Sequence, residues 1–97
     1  METHEMRALI LELYEVCERR LADRRAGVPL NTLKRAFLDH CDHTKFDQPF
    51  EELVEKGALH TDYIDGVGSL VFSPTAYHNR MSTEEIIKVH RSKEALT

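Results

Sequence analysis

The stretch PFEELVEKGALHTDYIDGVGSLVFS, Pro49 to Ser73, contains the change of period on which the fold turns. As far as Lys56 its apolar residues Phe50, Leu53 and Val54 recur at helical spacing. Pro49 is tolerated in a first turn, where its missing N–H has no intrahelical partner. This predicts a helix from Pro49 to Lys56, capped by Gln48 or Asp47 and stopped by Gly57. Beyond Gly57, Leu59, Thr61 and Tyr63 alternate with His60, Asp62 and Ile64, which is the period of a strand. Asp65-Gly66-Val67-Gly68 supplies positive-φ residues for a hairpin turn, and Ser69-Leu70-Val71-Phe72-Ser73 reads as the returning strand.

Upstream, residues 6–22 form an amphipathic helical pattern. Met6, Leu9, Ile10, Leu13, Val16, Cys17 and Leu21 share one face, with Glu12, Glu15, Glu18 and Arg19 toward the other. Leu11 points almost opposite the apolar centre. Arg24 and Arg25 suit a carbonyl end, and Gly27 suits a left-handed cap for this helix. Val28-Pro29-Leu30 reads as a short extended connection. Asn31 is then the expected cap of a second helix running to about Cys41, with Leu33, Ala36, Phe37 and His40 inward. Downstream, Pro74 ends the strand and opens a short helical turn through Tyr77. Ser82-Thr83-Glu84-Glu85 has capping-box spacing and predicts a final helix over residues 83–95. Its apolar residues are Ile86, Ile87 and Val89 before Leu96, and its basic end holds Lys88, Arg91 and Lys93.

Composition sets the class. Ninety-seven residues, 41% hydrophobic and 31% charged, suit one globular domain with a small core. A net charge of −4 opposes whole-body attraction to nucleic acid or anionic membrane. The longest aliphatic run, Ala8 to Leu11, is too short to span a bilayer, and the opening residues lack a signal-peptide pattern. Two cysteines, Cys17 and Cys41, are too few for a disulfide framework, so the expectation is a reduced, cytoplasmic protein.

Three helices followed by a glycine-turned hairpin resemble the winged-helix family. The likeness rests on Leu33-x-x-Ala36-Phe37, then Phe50-x-x-Leu53-Val54-x-x-Gly57-Ala58-Leu59, then Tyr63, Gly66-x-Gly68 and Leu70-x-Phe72, and it covers residues 6–77. It implies an α+β fold: a three-helix winged-helix domain over residues 1–77, with a two-stranded β-hairpin as wing. An additional C-terminal helix or tail over residues 78–97 would serve dimerisation. The resemblance also implies DNA binding, with the third helix and wing against phosphate, but the charges there have the wrong sign. Residues 46–66 carry Asp47, Glu51, Glu52, Glu55, Asp62 and Asp65 against one cation, Lys56, a local charge of −5. Affinity for duplex comes mainly from lysine and arginine neutralising phosphates.

The favoured reading is therefore a non-catalytic domain that recognises a basic protein partner through those six acids. The alternative is a DNA-binding regulator using Lys34, Arg35, Lys45 and Arg80 on a non-standard surface. Arg19, Arg20, Arg24 and Arg25 are read as solvating a helix end. A homodimer is also expected, with Leu11, Ile86 and Ile87 at a self-complementary interface. Asp39-His40-Cys41-Asp42-His43 superficially suggests zinc, but no second Cys or Cys/His pair faces it, so no metal or other cofactor is expected. Cys17 lies on the apolar face of the first helix, and Cys41 has histidines nearby in sequence but nothing implies an oxyanion hole or substrate cleft. Gly66-Val67-Gly68 precedes a strand where a phosphate loop would open a helix, so no enzyme is expected.

Overall fold

The computed structural model describes residues 2–95, with side chains for residues 2–91 except His43. The described residues form an α+β fold of five α-helices and one three-stranded antiparallel sheet. The helices are α1 (Thr3–Arg19), α2 (Leu30–Leu38), α3 (Asp47–Glu55), α4 (Pro74–His78) and α5 (Thr83–Ala95). The strands are β1 (Val28–Pro29), β2 (His60–Ile64) and β3 (Gly68–Phe72), in the order β1-β3-β2. The expected two-stranded hairpin is thus corrected to three strands. The connection at Val28–Pro29 pairs with Val71 and Leu70, taking up the side of β3 that the hairpin leaves open.

Helix ends differ from expectation for identifiable reasons. α1 starts at Thr3 because Glu2 and Glu5 form a reciprocal capping box, and it stops at Arg19. Gly27 does not cap α1. It closes a separate 3-10 turn, Arg24–Ala26, at φ 82°, and a Cβ there would stand 2.7 Å from the Phe72 ring. α2 begins one residue before Asn31, straight after Pro29, and no side chain caps it. It ends at Leu38, which leaves His40 exposed instead of inward. α3 begins at Asp47 with neither expected cap used, although Pro49 does fall in its first turn. Gly57 stops it at φ 77°: the Gly57 N–H donates to the Val54 carbonyl and the Ala58 N–H to that of Leu53.

Two apolar clusters lie on opposite faces of the sheet. On one face, α1, α2 and α3 pack Ile10, Tyr14, Leu33, Phe37, Phe46, Phe50 and Leu53 against Val71. Phe46 sits between Phe37 (edge-on, 5.3 Å between ring centres) and Phe50 (stacked, 5.0 Å). On the other face, Ile64, Leu70 and Phe72 meet Ala76 of α4 and Ile86 of α5. The expected domain limit at residue 77 therefore falls within α4, and residues beyond it complete a cluster of the same body. Leu96 and the side chain of Lys93 lie outside the described residues.

Polar contacts join the two halves. The Ser73 N–H donates to the Tyr14 hydroxyl (2.7 Å), which donates to Glu18 Oε2 (2.7 Å). The Ser73 side chain caps α4 by accepting from the Ala76 N–H. Ser82 caps α5 as expected, accepting from the Glu85 N–H at 3.3 Å. The Met81 N–H donates to the Arg25 carbonyl. Buried His90 lies 3.0 Å from the Ala26 carbonyl through Nε2, which must carry the proton because a carbonyl only accepts. The turn offering these carbonyls is held by Asp23, which accepts from the backbone and guanidinium of Arg25.

Two outcomes follow from this packing. Ile86→Ala should lower urea-measured stability by about 2–4 kcal/mol with an unchanged m-value. Half-buried Ile87 should cost clearly less on the same change, and equal costs would show that α5 does not seat Ile86 as described. The second concerns acid. Hydrogen bonds from the Arg25 side chain and backbone lower the Asp23 carboxyl to about 2. Its contribution is complete above the ordinary carboxylate range and is lost as pH falls toward that value. Asp23→Asn should therefore flatten the stability profile at the acid end and leave its neutral shape unchanged, as read by thermal melts across pH.

Candidate functional site

The six acids singled out by the charge pattern do not form one surface. Asp47, Glu51 and Glu55 recur at four-residue spacing along the exposed ridge of α3, and Glu52 lies on its flank. Asp62 belongs elsewhere. It pairs across the sheet with Leu70, whose side chain enters the second cluster, so it lies on the face away from α3. Asp65 is exposed in the hairpin turn.

Pairing divides them further. Glu52 forms an ion pair with Arg7 of α1, and Asp62 with Arg80; these side chains are only about a quarter to a third exposed. Asp47 meets Lys34 of α2 in a longer, solvent-exposed contact of 3.8 Å. Glu51, Glu55 and Asp65 remain exposed with no ionic partner among the described residues. Two cations of the DNA-binding alternative are thereby occupied. Lys34 also lies 5.7 Å from the centre of the Phe46 ring, and Arg80 lies 6.0 Å from that of Phe72. The other two, Arg35 and Lys45, are exposed.

Glu51 and Glu55 line a shallow groove of about 230 Å³ between α3 and β2, together with Phe50, Val54 and Thr61. Thr61 faces α3 because its cross-strand partner Val71 points into the first cluster. Tyr63, two residues along the same face, is 68% exposed. The charge count points to Glu51 and Glu55 but not to this groove. Helical spacing places Phe50 and Val54 on one ridge, whereas the opposing wall depends on how the strand docks.

The self-interface requires correction. Leu11 is half-buried against the first cluster, since the face opposite the apolar centre of α1 is partly covered by the fold. Ile86 is fully buried between the sheet and α5, and Ile87 packs beside it, so neither is a free anchor. In the histidine-rich segment, His40 is exposed, Cys41 is half-buried and the His43 side chain lies outside the described residues. Among the described residues, Glu2, His4 and Glu5 bring ligand atoms within 4.8 Å of one another, and all three are exposed around the α1 capping box. Burial pushes the Cys17 thiol up, away from nucleophilic character. Burial, and then the bond to Glu18, push the Tyr14 hydroxyl up as well.

No protein-family model matches the chain, and searches of curated proteins and of solved structures found no match. No helix among the described residues is long and apolar enough to cross a membrane.

The pairing of Arg80 can be checked directly. A double-mutant cycle of Arg80→Ala and Asp62→Asn should show a coupling of about 0.5–1 kcal/mol in chemical denaturation. Arg80→Ala alone should cost more than Asp62→Asn alone, because its side chain also covers Phe72; the reverse order would remove that role.

Proposed function

We propose that this chain is a non-catalytic winged-helix domain whose function is protein–protein recognition through the acidic ridge of α3 and the adjoining hairpin. The succession of α1, α2 and α3 followed by the β2–β3 hairpin, with β1 completing the sheet, supports the fold reading. One electrostatic observation supports the function. Where a duplex-binding relative would present cations, Glu51, Glu55 and Asp65 stand exposed without ionic partners among the described residues, and neighbouring Lys34 and Arg80 face Asp47 and Asp62. A basic partner would be steered to this surface, and charge at the rim would set its encounter rate more than its final affinity.

The test compares two labelled probes by fluorescence anisotropy, decalysine and a short DNA duplex, across rising salt. Decalysine should bind at low salt and weaken as salt rises, Glu51→Lys with Glu55→Lys should abolish that binding, and the duplex should not bind at matched concentration. Duplex binding with a steep salt slope, weakened by Arg35→Ala and Lys45→Ala, would overturn the reading.

A further inference from the structure

We propose that the groove between α3 and β2 seats one arginine or lysine side chain carried on an extended segment of the partner; this rests on the protein-recognition reading above. Phe50 and Val54 supply an apolar floor suited to the methylene stem of a long basic side chain. Glu51 and Glu55, one helical turn apart on the rim, supply carboxylates for its head. Both are exposed and have no ionic partner among the described residues, so no existing pair must be broken. The only cation of this segment, Lys56, lies one residue beyond and lines no part of the groove.

Shape narrows the occupant. A volume of about 230 Å³ suffices for a single long side chain. The far wall is Thr61 on β2, an edge strand, so the approaching main chain is best accommodated in extended form. The apolar floor separates this site from a merely acidic surface. It favours a cation on a long aliphatic stem over a small ion or a bare amine.

Amide NMR titration of the whole chain tests the proposal with two blocked pentapeptides, acetyl-Ala-Leu-Arg-Leu-Ala-amide and its citrulline twin. The arginine peptide should shift amides around Phe50–Glu55 and at Thr61, and should bind about fivefold to tenfold more tightly than the twin. Glu51→Gln with Glu55→Gln should erase the difference between twins. Thr61→Trp should block both peptides while leaving the acids in place, and preserved spectral dispersion verifies folding of each variant. Equal binding of the twins, or shifts centred on Asp65, would overturn the proposal. Equal twins with retained decalysine binding would remove the groove and leave the acidic-surface reading standing. Loss of decalysine binding as well would remove both.

Discussion

Three consecutive side chains of β3, Leu70, Val71 and Phe72, are fully buried, and the rest of the architecture follows from covering them. Adjacent strand residues point to opposite faces, so Val71 needs cover on one side of the sheet while Leu70 and Phe72 need it on the other. The first requirement is met by α1, α2 and α3. The second is met by α4 and α5, which makes the C-terminal helices part of the fold and accounts for the complete burial of Ile86. β2 pairs with the whole of β3, and β1 pairs on its other side beside Leu70 and Val71.

Much of this was legible in local pattern. The switch from helical to alternating period at Gly57, the hairpin turn, the proline-led α4 and the serine-capped α5 each depend on residues close in sequence, and each occurs near its expected place. The failures share a cause. A two-residue strand such as β1 has no period to read; it exists because Val71 and Leu70, some forty positions later, offer it a partner. Leu11 and Ile86 pack within the chain, which their helical angles do not reveal, because angular position locates the most apolar face of a helix and not which neighbours cover its flanks. Three apolar residues in succession at Leu70–Phe72 carried a signal for burial on both faces. A hairpin reading gives such a strand only one covered face, and so leaves α5 without an obvious place to pack.

Charge was legible in number but not in arrangement. Six carboxylates in one segment suggest a single acidic patch. The fold assigns Glu52 to Arg7 and Asp62 to Arg80, and so uses part of that charge to fasten α3 to α1 and the hairpin to the segment after α4. What faces solvent beside the groove is a narrower feature: two carboxylates over an apolar floor, in place of a diffuse field.

The bond between His90 and the Ala26 carbonyl closes a loop of more than sixty residues, and the Tyr14–Ser73 bond closes another of similar span. On a nascent polypeptide the second can form once residue 73 has left the ribosomal tunnel, whereas the first must wait for residue 90. Until then Leu70 and Phe72 lack the part of their cover that Ile86 supplies. The native state is therefore completed only when the C-terminal helix has emerged, and a chain cut short of it would leave that face of the sheet wet.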